Sequence, residues 1–148
     1  MIRGSCLCGG VQFEIDGPLS PLQACHAQRC RKASGSAFGI ESAARNADFR
    51  LTCGEELIET YVAPLLDEPP AYMRKFCRVC GSPLPVPMVE ADFMVIQAGT
   101  LDEGVTSQMF RHVFTSEAAS WFEISDDLPQ HERRPPPESR VPEDEDMQ

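Results

Sequence analysis

Val11-Gln12-Phe13-Glu14-Ile15 alternates apolar and polar side chains, the two-residue period of a strand with one buried face. Gly17-Pro18 ends it. Leu57 to Val62 and Phe93 to Ala98, rich in β-branched and aromatic residues, predict two further strands. Phe110 to Phe114 and Trp121 to Ile124 are shorter strand candidates, and Phe49 to Thr52 is expected to pair with Leu57 to Val62 through a turn at Gly54. Helix is predicted only over Arg29 to Ser34, closed by Gly35. Together these segments predict a mainly β, mostly antiparallel fold of two small sheets, with many turns and little helix.

From Asp126 onward the pattern breaks down. Prolines at 129, 135, 136, 137 and 142 interrupt any ladder, and Glu143-Asp144-Glu145-Asp146 repel one another. The 148 residues therefore divide into one expected domain over 1–130 and a disordered, acidic, Pro-rich tail over 131–148. A formal net charge of −10 with no basic stripe argues against nucleic acid and against an anionic membrane as partners. No uncharged apolar run approaches the length of about 18 residues that a spanning helix needs. The first residues, Met1-Ile2-Arg3-Gly4-Ser5-Cys6, lack the apolar stretch of a secretory leader. Seven cysteines, an odd number, do not suit a fully paired disulfide framework. The expectation is a cytoplasmic protein whose clustered thiols stay reduced and bind metal or do chemistry.

Two short cysteine pairs stand out. Cys6-Leu7-Cys8-Gly9 and Cys77-Arg78-Val79-Cys80-Gly81 each end in glycine, which tolerates the sharp turn of a metal-binding knuckle. Together they supply four thiolates, the ligand number of a tetrahedral structural Zn²⁺. In a straight strand Cys6 and Cys8 would splay apart, so a bulge or turn is expected at Leu7. A thioredoxin-like redox pair would need a βαβ setting, which this region lacks.

The remaining thiols and imidazoles are less regular. Cys25-His26-Ala27-Gln28-Arg29-Cys30-Arg31-Lys32-Ala33-Ser34-Gly35 is the second concentration of reactive groups. Cys53 stands alone beside the Gly54 turn, His112 falls on the predicted strand at 110–114, and His131 falls in the tail. A lone thiol or strand histidine is more often packing than chemistry.

Gly4-Ser5-Cys6-Leu7-Cys8-Gly9-Gly10-Val11, the Cys-His cluster running into Cys30-Arg31-Lys32-Ala33-Ser34-Gly35, and Phe76-Cys77-Arg78-Val79-Cys80-Gly81-Ser82 occur in that order. With Ala98-Gly99-Thr100-Leu101-Asp102 and Trp121-Phe122, they resemble the glutathione-dependent formaldehyde-activating enzyme family over roughly residues 1–130. The resemblance implies a small zinc-binding β-tent fold with a structural zinc on Cys6, Cys8, Cys77 and Cys80. It also implies a second, catalytic zinc held by three cysteines, of which Cys25 and Cys30 match while the third falls on Ala27.

Alanine ligates no metal, and two thiolates are one short of the three protein ligands usual at a catalytic zinc. His26 and Cys53 are the candidate replacements. The family reaction joins a glutathione thiol to formaldehyde, carbon–sulfur lyase chemistry run in reverse. The resemblance therefore implies a carbon–sulfur lyase acting on thiol–aldehyde adducts. Its catalytic residues would be Cys25, His26 and Cys30, its cofactor Zn²⁺ and its small-molecule partner a thiol such as glutathione. Arg29, Arg31 and Lys32 would add positive potential or form a solvated helix face. The alternative is a non-catalytic, zinc-stabilised binding module, because of Ala27.

Overall fold

The computed structural model describes residues 1–64, 72–88, 91–102 and 105–135. Among them lie the strands β1 (Ile2–Ser5), β2 (Gln12–Ile15) and β3 (Leu22–Cys25), then helix α1 (Gln28–Ser34). There follow β4 (Gly39–Arg45), β5 (Phe49–Cys53), β6 (Ile58–Val62), β7 (Met73–Cys77), β8 (Pro83–Leu84) and β9 (Val86–Pro87). The last are β10 (Phe93–Gln97), β11 (Met109–Val113) and β12 (Gln130–His131). The protein is mainly β with one α-helix among the described residues. The chain forms two compact units, Met1–Pro18 with Ala43–Gly104, and Leu19–Ser42 with Val105–Gln148.

In the first unit β2 pairs antiparallel with β1 and with β5. The alternation of the Val11–Ile15 segment does what its period predicts: Val11, Phe13 and Ile15 are buried. Glu14 points the other way and meets Arg3 and Arg50. Gly4 lies opposite Phe13, and a Cβ on it would run into the phenyl ring. β7 pairs antiparallel with β6 and β8, and β9 with β10. The buried cluster of this unit is Cys6, Val11, Cys77 and Leu84, flanked by Leu51, Leu57, Ile58 and Cys80. Three of the four knuckle cysteines thus belong to an apolar core.

In the second unit β3 pairs antiparallel with β4 and parallel with β11, and β11 runs parallel to β12. Ala24, Cys25 and Val113 are buried there. Helix α1 ends where expected, with Gly35 left-handed at φ 67° and its N–H on the Arg31 carbonyl. The helix start has no side-chain cap from Ala27; the Glu117 carboxylate accepts the Gln28 N–H at 2.8 Å instead.

Three expectations need correction. The first unit alone holds two three-stranded sheets beside the β9–β10 pair, so the chain exceeds two sheets. β5 and β6 do not form a hairpin, because Gly54 opens a 3₁₀ turn over Glu55–Leu57 that sends the chain away to β7. Trp121 to Ile124 is not a strand: Phe122 turns its ring onto Phe38 at 5.3 Å, and Trp121 is exposed. Parallel pairing of β11 with β3 and β12 was not foreseen. The expected tail boundary at residue 131 falls within β12, and Ser116 donates to the Glu132 carbonyl. Residues 136–148, the rest of that expected tail, lie outside the described residues.

Candidate metal centres

The two glycine-ended knuckles are the tips of two hairpins, β1–β2 and β7–β8. At the first tip the Gly9 N–H reaches the Cys6 carbonyl at 2.8 Å, with Gly9 at φ 73°. At the second the Gly81 N–H reaches the Cys77 carbonyl at 2.7 Å, with Gly81 at φ 75°. Both glycines adopt the left-handed conformation that a side chain disfavours. The turn at Leu7 gathers Cys6 and Cys8 as the spacing required. Leu7 also donates its N–H to Ser82 Oγ at 2.8 Å, tying one tip to the other.

The four sulfurs of Cys6, Cys8, Cys77 and Cys80 lie within 4.8 Å of one another. Cys6 and Cys8 are separated by 3.5 Å and Cys8 and Cys77 by 3.9 Å. A zinc with sulfurs at about 2.3 Å would set tetrahedral edges of about 3.8 Å, so the set fits that ion. The thiols are electrically unequal. The Ser82 hydroxyl, then its N–H, pulls Cys80 down to about 5. The Gly10 N–H also pulls on Cys8, but the Cys6 sulfur, burial and the other thiols outweigh it and leave Cys8 raised to about 11. Four crowded thiols cannot all ionise without a cation among them.

The second cluster is built on β3, α1 and β4. Cys25 ends β3, and Cys30 sits on the buried side of α1. Their sulfurs are 3.0 Å apart and both thiols are free. Cys25, burial and the charge of Glu41 push the Cys30 thiol far above its ordinary range. Glu41 joins them: its Oε1 lies 3.7 Å from Cys30 Sγ, and the three donor atoms fall within 4.8 Å of one another. This group can hold a metal ion. Ala27 is buried at the helix start.

Neither replacement ligand named from the sequence joins the group. Cys53 ends β5, is exposed and belongs to no donor cluster among the described residues. His26 is fully buried, but its Nε2 lies 2.8 Å from Nδ1 of His112. His112 in turn places Nε2 3.0 Å from Oδ2 of Asp126. The Asp126 carboxylate accepts from His112, so Nδ1 of His112 accepts from His26, and Nδ1 of His26 carries a lone pair. That nitrogen has no partner among the described residues. Phe38 and Phe122 lie tilted against the ring, with centroids at 5.1 and 6.2 Å. Burial first, then the fields of His112 and Arg31, hold His26 below its ordinary pKa.

Glu41 and Asp126 escaped detection for one reason. Each is an ordinary acidic residue in an ordinary stretch, and only strand register or a loop excursion brings it to the thiols or to the imidazoles. His112 was visible only as a strand residue. Arg29, Arg31 and Lys32 do sit on α1, where Arg31 Nε donates to the His26 carbonyl at 3.3 Å.

A Rhodobacter sphaeroides protein of known crystal structure resembles the chain, with a TM-score of 0.55 and 19% identity. The match covers 72% of this chain and 98% of the other, and at that identity it speaks for the fold alone. No curated protein matches the chain significantly. The family pattern described as glutathione-dependent formaldehyde-activating enzyme matches residues 1–117, and the chain belongs to that family.

Proposed function

We propose that the protein is a zinc-dependent carbon–sulfur lyase of the glutathione–formaldehyde type, adding a thiol to a small aldehyde or reversing that addition. The four-thiolate group would hold a structural zinc, and the Cys25 cluster a second, reactive one. The observation that carries the proposal is the second cluster itself: two buried thiols and a carboxylate gathered within 4.8 Å despite Ala27. A zinc ion bound there supplies Lewis-acid polarisation of an aldehyde oxygen and favours thiolate over thiol.

The chain's own groups provide the rest. The Nδ1 of His26, without a partner among the described residues, is an acceptor with two phenyl rings close by. It would take the proton of the entering thiol and return it to the aldehyde oxygen as the C–S bond forms. His112 and Asp126 hold that tautomer, since Asp126 can only accept when ionised. Arg31 and Lys32 in the last turn of α1 are candidates for meeting a carboxylate of glutathione.

The test is to follow S-hydroxymethyl adduct formation by NMR with glutathione, formaldehyde and the zinc-loaded chain. The adduct should form faster than in buffer, and Cys30→Ser should lose about 100-fold or more, the scale of one essential group. A rate equal to buffer would leave the alternative, a zinc-stabilised binding module, in its place.

A further inference from the structure

The second cluster lacks one family thiolate, and the fold itself offers a replacement. In the β3–β4 ladder Cys25 pairs with Gly39, and Gln23 pairs with Glu41. Side chains two residues apart share a strand face, so Gly39 and Glu41 lie on the side of Cys25 and Gln23. Gly39 presents no side chain opposite Cys25. Glu41 is the diagonal neighbour of Cys25, a distance that a long side chain spans.

The Glu41 carboxylate is also held. Gln23 Nε2 donates to Oε2 of Glu41 at 3.3 Å, while Oε1 is the oxygen 3.7 Å from Cys30 Sγ. Gln23 is fixed in turn, since buried Arg111 donates from Nε to Oε1 of Gln23 at 3.0 Å. Arg111 stands opposite Gln23 in the parallel β3–β11 ladder. Three adjacent strands thus carry a chain of donors that ends on a carboxylate aimed at two thiols. Such outer partners orient ligands at metal sites.

We propose that Glu41 takes the ligand place left by Ala27, forming with Cys25 and Cys30 a Cys₂Glu zinc site positioned by Gln23 and Arg111. The inference rests on the second zinc of the function proposed above. A carboxylate carries the same charge as the missing thiolate, so the set leaves Zn²⁺ with the same net charge as three thiolates would. It also keeps three protein ligands, the number that leaves a position for substrate. Oxygen is a harder donor than sulfur, so the bound ion is the stronger Lewis acid.

The test is metal analysis of the full-length chain after zinc loading and desalting under reductant, with cobalt substitution as the spectroscopic readout. Wild type should retain a second equivalent beyond the four-thiolate zinc. Glu41→Gln, close in shape, should keep the first equivalent and lose the second. Ala27→Cys in that background should regain it, with more thiolate-to-cobalt charge-transfer absorption than wild type. Gln23→Ala should keep the stoichiometry but weaken the second site about 10–100-fold.

Retention of the second equivalent by Glu41→Gln, with an unchanged cobalt spectrum, would overturn Glu41 as ligand and leave the two-zinc reading intact. A wild-type chain that holds one equivalent, the same as Glu41→Gln, would instead remove the second zinc and this inference with it. An unweakened Gln23→Ala site would overturn the positioning role.

Discussion

His26 is wholly buried, yet one of its ring nitrogens has no partner among the described residues. Its partner on the other side, His112, is buried as well, and the pair reaches Asp126, whose side chain is half-exposed. Because burial and the neighbouring His112 and Arg31 disfavour the charged ring, His26 stays neutral in the fold at pH values where the unfolded chain binds a proton. The unfolded value is 6.5. The contribution of His26 to stability is therefore complete above that pH and is lost as pH falls from it through the lowered folded value. Asp126 acts in a lower window. The Leu128 N–H and then His112 depress it below 3.8, so its contribution is lost only as pH falls through that lowered value. The urea midpoint should consequently fall between about pH 7 and about pH 5, and His26→Gln should flatten that fall. An identical slope in the variant would show that the imidazole is not the cause.

Strands were legible where the residues alternate, but their partners were not. Val11 to Ile15, Leu57 to Val62 and Phe93 to Ala98 each contain a strand within a residue or so of the expected bounds. Pairing β5 with β2 instead of β6 follows from the Gly54 turn, at φ 84°, and from how closely it packs. A Cβ on Gly54 would run into the Gly10 carbonyl, whereas one on Gly35, at φ 67°, meets nothing. Both sites carry the left-handed backbone penalty of about 1–2 kcal/mol, and Gly54 adds a steric clash to it. Gly54→Ala should therefore lower the urea midpoint more than Gly35→Ala does. Equal losses would mean that the turn has room to relax. The failed strand at Trp121 to Ile124 teaches the same lesson, since a short aromatic run reads alike whether its rings face a sheet or meet another ring edge-on.

The two units each gather a group of side chains that could hold a metal ion. The first has its four-thiolate group sewn into an apolar core by Cys6 and Cys77, both nearly inaccessible. Structural zinc in small finger peptides contributes about 10–16 kcal/mol. A whole domain is stable by only about 5–15 kcal/mol. With zinc in that group, Cys77→Ala should yield an insoluble or molten chain, and a strong chelator should abolish near-ultraviolet circular dichroism. A soluble Cys77→Ala protein with native β-sheet dichroism would show that the four sulfurs are not what secures the fold. No helix among the described residues is long and apolar enough to cross a membrane.

By itself the sequence determined the mainly β character, the short helix with its glycine stop, and the two knuckles with their four sulfurs. Each of these is written in residues a few positions apart, because periodicity, turn chemistry and chelate spacing are local properties. Tertiary structure alone decided which strands pair, that His26 turns to His112 and Asp126, and that Glu41 comes to the thiols of Cys25 and Cys30. The Glu41 contact depends on register between β3 and β4, where a one-residue slip would face its side chain the other way, and the Asp126 contact depends on the path of a loop.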